Sequence, residues 1–367
     1  MLRLKVRMII ICLILRKSRI TFSAYNVEII MKKILVIIAL TIAVAAASAC
    51  SRTDAFYKDT RVIMGTYVTI TAVKGGLSDK QVSDAVNAGF AEISRVDALM
   101  STYKPESQLS MINANAGVAP VKVDTEVIDN VEDAVKIARL TGGAFDPTVG
   151  PVVRLWKIGS DDAHVPDPAD IKKAVQLVGY ENIVVDRGAG AVFLKKKGMS
   201  IDLGGIAKGY AADRAVEAMK KKGVKGGIVA VAGDLKLFGR RPDGSPWIVG
   251  IQHPRVKDGV LAKVGITDAA TSTSGDYERF FFKDGVRYHH ILDPRTGYPA
   301  RGLISVTVIA KQSWLADSMT KMFVMGPVKA KEFAAAHPEI ETLMVDSEGK
   351  TFATGRFKGI EVAPVTP

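Results

Sequence analysis

The stretch Ser200–Asp213, SIDLGGIAKGYAAD, constrains this chain more than any other segment. Met199, Ile201 and Leu203 alternate as a buried strand does and run into Gly204-Gly205, where a side-chain-free backbone lets a ligand come close. Lys208 and a helix start follow, and the free N–H groups and dipole of such a terminus favour phosphate. Strand, glycine turn, helix and one cation together predict a nucleotide diphosphate site. A plain tight turn before a helix would use the same residues, and no general fingerprint decides between the two. Lys208 precedes Gly209 and Tyr210, so this is not a G-x-x-x-x-G-K-[ST] loop, and it is not G-x-G-x-x-G either.

At 367 residues the chain has material for one large domain or two. The formal net charge is +12, but the first 50 residues hold eight Lys/Arg against one Glu. The remainder carries 42 basic and 37 acidic residues, a modest excess with no basic tract, which argues against a nucleic-acid partner. Lys195–Lys197 and Lys220–Lys222 read as solvated faces.

Met31-Lys32-Lys33, the apolar run Ile34–Val44 and the small residues Ala45–Ala49 follow the order of a secretory signal. The run is short for a membrane span. Ala47-Ser48-Ala49-Cys50 resembles a bacterial lipobox, with Ala where Leu is usual. Residues 31–49 are therefore expected to be a signal peptide, and Cys50 to be acylated as the first mature residue, with plain secretion as the alternative. Residues 1–30, with a second basic-apolar stretch at Met8–Leu15, are expected to be an upstream extension from a misplaced start codon. Cys12 and Cys50 are the only cysteines, which leaves the mature domain without an internal disulfide or thiol chemistry.

Residues 50–58 read as a polar tether and 59–365 as one α+β domain, in which two lobes are allowed. Helices and strands alternate too irregularly for a doubly wound sheet. A strand is expected over Val62–Val73, beginning at Met64-Gly65-Thr66, and amphipathic helices over Val82–Met100 and Asp124–Leu140. Further helices are expected over Ile171–Val178, from Lys208 to Lys222, and over Trp314–Met325 and Pro327–Ala336. Strands are expected near Ile183–Val185, Val192–Leu194, Ile228–Ala232, Leu235–Phe238, Trp247–Ile251 and Ile304–Ala310.

Five more segments hold more Gly, acid and hydroxyl than a connector needs: Thr102–Ser107, Gly142–Pro147, Ala232–Asp234, Thr271–Tyr277 and His289–Gly297. Each could equally be turn chemistry. Asp317 and Thr320 lie three apart on an expected helix and share one face. Their hard oxygens suit Mg²⁺, although Asp317 could instead cap the helix. His164, His253 and His337 are scattered and no mature cysteine lies beyond Cys50, which argues against zinc.

In chain order the motifs are MGTYVTI, STYKPESQLSMIN, GGAFDPTVGP, IDLGGIAKGYAAD, GIVAVAGDLKLFG, TSTSGDYERFF, HHILDPRTGYPA and ADSMTKMFVMG. In this set the sequence, over about Phe56–Glu361, resembles the ApbE family of flavin transferases. The resemblance implies Mg²⁺-dependent transfer of the FMN part of FAD to a threonine or serine of a partner protein, releasing AMP. It places Met64, Tyr103, Ala144, Phe145, Asp146, Asp202, Lys208 and Ile291 around FAD. It assigns Mg²⁺ to the Gly205 carbonyl, Asp317 and the Thr320 hydroxyl, and activation of the acceptor hydroxyl to His290. Arg295 is read as pairing with Asp293.

One departure stands out. The family commonly spaces the metal-site Asp and Thr four apart, whereas here Thr320 is third after Asp317 and Lys321 is fourth. Two other readings stay open: an FAD pyrophosphatase giving FMN and AMP, and a non-catalytic FAD-binding lipoprotein. The resemblance also implies an exported, lipid-anchored protein facing the periplasm, with a flavoprotein of membrane or exported electron transport as acceptor.

Overall fold

Alternating apolar residues are realised as an eight-stranded antiparallel sheet in the computed structural model, which describes residues 55–366. The expected signal, the lipobox with Cys50 and most of the tether lie outside the described residues. The chain opens with β1 (Phe56–Ile63), β2 (Thr66–Val73), α1 (Asp79–Met100), α2 (Gln108–Ala114), β3 (Val121–Lys122) and α3 (Thr125–Leu140). It continues with α4 (Gly150–Trp156), α5 (Pro168–Val175), β4 (Ile183–Asp186), β5 (Ala191–Leu194), α6 (Ala207–Lys221), β6 (Gly227–Val231) and β7 (Asp234–Phe238). Next come β8 (Trp247–Gln252), β9 (Val260–Ile266), β10 (Ala270–Gly275), β11 (Phe280–Lys283), β12 (Val286–His289) and β13 (Leu303–Ala310). The last elements are α7 (Ser313–Met319), a 3₁₀ turn (Thr320–Met325), α8 (Gly326–Ala336), β14 (Ile340–Asp346) and β15 (Thr351–Ala353).

The sheet order is β1-β2-β6-β7-β10-β13-β14-β15, and every neighbouring pair is antiparallel. β13, LISVTVIA, is buried at every position because both faces of the sheet are covered. On one face Ile70, Val306 and Val308 pack with Phe90, Ile93, Val131 and Phe323 from the helical layer. On the other, Trp247, Val249 and Val264 of the β8–β9 hairpin pack with Leu237, Ile309 and Val345. The hairpin thus covers the sheet and does not form a second lobe; from Phe56 onward the chain is one compact unit. A smaller cluster of Val152, Trp156, Ile171 and Leu292 ties α4 and α5 to the loop after β12.

Most expected elements are present, and the differences have identifiable causes. Phe56–Lys58, read as tether, pair with Thr71–Val73 and begin β1. Met64-Gly65 does not start a strand but forms the two-residue turn between β1 and β2, with φ of 56° and 68°. Met199–Leu203 is buried but joins no ladder. There the side chain of Asn113 replaces a neighbouring strand: Ile201 N–H donates to Asn113 Oδ1 (2.7 Å), and Asn113 Nδ2 donates to the Ile201 carbonyl (2.9 Å). The helix expected over Trp314–Met325 tightens to 3₁₀ after Met319.

The second half of the opening motif positions α7. A Cβ on Gly209 would lie 2.4 Å from the Ser313 carbonyl carbon, so α6 and the start of α7 meet backbone to side-chain-free backbone. Four residues on, Asp213 Oδ2 accepts the N–H groups of Ser313 (2.8 Å) and Trp314 (3.3 Å). Gly209→Ala is expected to cost about 1–3 kcal/mol through overpacking against backbone that cannot yield. Urea unfolding checks this, and an unchanged midpoint would contradict the close approach.

Candidate active site

Two-residue hairpin turns, the loops after α1, α3, β5, β10 and β12, and the α7 region converge on one cleft of about 990 Å³. The turns Met64-Gly65 and Ala232-Gly233 sit side by side on adjacent strands, and the Ala232 N–H donates to the Tyr67 carbonyl (3.3 Å). Both turns have positive φ at their two central residues, as type I′ turns require. Met64 (φ 56°) and Ala232 (φ 52°) therefore hold a conformation that side chains other than glycine's rarely adopt. Backbone strain of this kind clusters at functional sites.

Met64, Tyr103, Ala144, Phe145, Asp146, Asp202, Gly205, Lys208, His290, Ile291 and Asp317 all line the cleft. Tyr103, 93% exposed, stands at its mouth on the loop after α1. Asp202 Oδ1 accepts the Gly204 N–H (2.7 Å), which shapes the glycine turn. Asp146 faces inward: its carboxylate accepts Thr148 N–H (2.8 Å), Thr148 Oγ1 (2.6 Å) and Tyr180 N–H (3.2 Å). It therefore builds the loop carrying Phe145, and burial pushes its pKa above the ordinary carboxylate value.

The adjacent histidines divide. His289 is buried, its Nε2 bonds the Ala300 carbonyl (2.9 Å), and its ring meets Phe323 edge-on. His290 faces the cleft, with Nδ1 3.3 Å from the Arg279 carbonyl. That contact makes Nδ1 the protonated nitrogen and leaves Nε2 with the lone pair. Burial holds His290 well below the ordinary histidine range, and the charges of Arg279 and Lys321 add to the effect. Arg295 pairs bidentately with Asp293, both contacts 2.9 Å, as expected.

Lys208 is not the free cation that the glycine turn suggests. Its ammonium donates to the Gly204 carbonyl (2.6 Å) and Asp317 Oδ2 (2.9 Å), with Asp234 Oδ2 at 3.6 Å. Burial works against its charge, but Asp317 and Asp234 more than offset this and raise its pKa. Asp317, 2% exposed, stays below the ordinary carboxylate value because Lys208 and Lys321 outweigh its burial. Asp234 is pushed up to about 6, first by burial and then by the Asp317 charge, although Lys208 opposes both. Two ammonium and two carboxylate groups form a neutral quartet at the floor of the cleft.

The metal set implied by the resemblance does not assemble. Thr320 is 0% exposed and does not line the cleft; its hydroxyl donates to the Asp317 backbone carbonyl (2.6 Å) and lies 2.8 Å from Ser274 Oγ. The 3₁₀ winding at Thr320 turns the hydroxyl back onto the preceding turn. Lys321 stands in front of it, with Nζ 2.9 Å from Thr320 Oγ1, 3.1 Å from Ser274 Oγ and 3.4 Å from Asp317 Oδ1. A Cβ on Gly205 would press on Phe145 Cε2 at 3.2 Å and would touch Lys321 Cε at an ordinary 3.4 Å, so the glycine makes room chiefly for Phe145 and lies beside Lys321. Both Asp317 oxygens thus face ammonium groups, a donor set that does not fit Mg²⁺.

Asp234, Ser274, Arg279 and Lys321 are the site residues that sequence reasoning missed. Asp234 and Ser274 lay in segments already marked as rich in acid and hydroxyl, but hairpin chemistry explained them equally well. Arg279 lines the wall beside His290 and makes no ion pair among the described residues.

The ApbE family profile matches residues 64–344, which span every motif of the cleft. A Salmonella typhimurium protein named FAD:protein FMN transferase is 36% identical over 298 residues, covering 79% of this chain and 84% of its own. A Treponema pallidum protein of the same name is 35% identical, covering 72% of this chain and 78% of its own. Among solved structures, the Thermotoga maritima ApbE protein superposes with a TM-score of 0.76 at 36% identity, covering 83% of this chain and 98% of its own. The Vibrio cholerae flavin transferase ApbE superposes with a TM-score of 0.74 at 30% identity, covering 83% of this chain and 100% of its own. Fold and cleft are those of an α+β flavin-transferase scaffold. The chain belongs to the ApbE family.

Proposed function

We propose that this protein transfers the FMN half of FAD to a threonine or serine hydroxyl of a partner protein and releases AMP. The observation that carries the reading is His290, which presents an unprotonated Nε2 at a cleft large enough for a dinucleotide. Relatives named FAD:protein FMN transferase support the choice of donor and reaction. The acceptor oxygen attacks the FMN-side phosphorus while its proton passes to Nε2 of His290. The bond from that phosphorus to the bridging oxygen breaks, AMP leaves with that oxygen, and a phosphoester joins FMN to the acceptor. Arg279 supplies positive charge on the wall beside His290. Tyr103 at the mouth offers an aromatic face for a flavin ring.

Incubation with FAD and a flavinylatable acceptor tests the reading. Covalent flavin fluorescence on the acceptor is expected. Free FMN and AMP alone would favour the pyrophosphatase reading, and intact FAD would leave only binding. The pH profile offers a second check. Only neutral His290 accepts a proton, and its pKa is lowered, so the acid limb of kcat/KM is expected below the ordinary histidine value of 6.5. A midpoint at or above that value contradicts the assignment.

We propose further that the protein is an exported lipoprotein, with Cys50 acylated and anchored to a bacterial membrane facing the periplasm, a reading supported by the signal-like order of residues 31–50. Its acceptor is then an exported or membrane flavoprotein of electron transport. The lipobox-like Ala47-Ser48-Ala49-Cys50 supports assigning the anchor to Cys50. Mass spectrometry of the native amino terminus is expected to find a lipid-modified Cys50, and an unmodified terminus starting elsewhere contradicts it.

A further inference from the structure

We propose that the Lys321 ammonium is the resident cation of this site, taking the place a divalent ion would occupy beside Asp317 and Gly205. The inference rests on the FMN-transfer reading for its meaning, though its test does not require turnover.

Three observations carry it. The first is coordination. A lysine has three N–H donors, and Nζ of Lys321 is surrounded by oxygens: Thr320 Oγ1 at 2.9 Å, Ser274 Oγ at 3.1 Å, the Asp317 carbonyl at 3.3 Å and Asp317 Oδ1 at 3.4 Å. The second is charge. Lys208 and Lys321 already balance Asp317 and Asp234, so a dication here meets two ammonium groups in a buried setting where like charges repel strongly. The third is position. Lys321 Cε lies beside Gly205, at ordinary contact distance (3.4 Å) from where a Cβ there would stand. Lys321 lies four residues beyond Asp317, one helical turn on, so its stem follows the helix face to the carboxylate. Lys321 lines the cleft, so its ammonium is open to a diphosphate bound there.

The test uses the protein as expressed, with Mn²⁺ as the spectroscopic probe for a divalent ion. Electron paramagnetic resonance titration of the wild-type chain is expected to find no Mn²⁺ site that depends on Asp317, and FAD affinity is expected to be the same with EDTA or with Mg²⁺. Lys321→Thr removes the ammonium and places a hydroxyl four beyond Asp317. This variant is expected to bind Mn²⁺ at least about tenfold more tightly than wild type and to need the ion for FAD binding. A wild-type Mn²⁺ site that is lost in Asp317→Asn overturns the proposal, and so does a more than about tenfold loss of wild-type FAD affinity in EDTA. The wild-type arms decide the matter even where Lys321→Thr does not fold. FAD that fails to bind wild type under any condition counts against the FMN-transfer reading instead, and Mn²⁺ titration still decides the role of Lys321.

Discussion

Replacing Asp317 by Ala is expected to abolish FMN transfer and to destabilise the protein by about 3–5 kcal/mol, the cost of breaking a buried ion pair. The carboxylate is 2% exposed and holds Lys208 at 2.9 Å and Lys321 at 3.4 Å. Without it, two half-buried ammonium groups face each other with only Asp234 to share. That loss is a large part of the 5–15 kcal/mol by which a typical domain is stable. Chemical unfolding measures it. Adding Lys321→Met to Asp317→Ala should recover part of the stability without restoring transfer, because one of the uncompensated charges is gone. Full activity in Asp317→Ala would contradict the need for Lys208 and Lys321 to be held in the cleft by this carboxylate, and strict additivity in the double variant would contradict the pairing.

His290→Ala is expected to lower kcat about 10²- to 10⁴-fold, the range general-base catalysis supplies, with FAD affinity nearly unchanged. The imidazole is held through Nδ1 to a backbone carbonyl, so its removal deletes the proton acceptor while the cleft walls stay in place. The neighbouring His289→Ala behaves differently. Its ring lies in the core against Phe323, and losing it should lower stability more than chemistry. A kcat loss in His289→Ala as large as that in His290→Ala, with unfolding unchanged in both, would reverse the two assignments.

The comparison of these histidines illustrates how far the sequence could be read. Motif position identified the cleft-lining residues well, because turns such as Gly204-Gly205 and loops such as Gly142–Pro147 are local and carry their own chemistry. The roles of the charged residues were less legible, since they depend on partners far away in the chain. Lys208 looks like a phosphate cation until Asp317 and Asp234 close around it. Asp146 looks like a ligand contact until its oxygens are seen holding Thr148 and Tyr180. Gly209 and Asp213 look like parts of a nucleotide motif, whereas they seat the start of α7.

The fold divides in the same way. The amphipathic helices α1 and α3 and the strands with strong apolar patterns were readable from period alone. The turn at Met64-Gly65 was not, because methionine is a poor signal for a left-handed backbone. Nor was the extended segment at Ile201, whose backbone partner is a side chain 88 residues away. The Asp317–Thr320 spacing did flag an anomaly, and its cause lies in the next residue: Lys321 occupies the position that the hydroxyl was expected to share.

The most direct measurement is intact-mass analysis of an acceptor protein after incubation with this enzyme and FAD, with AMP quantified in parallel. The account predicts an acceptor heavier by one FMN through a phosphoester at a single Thr or Ser, one AMP released per flavin attached, and no requirement for added Mg²⁺. Release of AMP and FMN with the acceptor mass unchanged would contradict it.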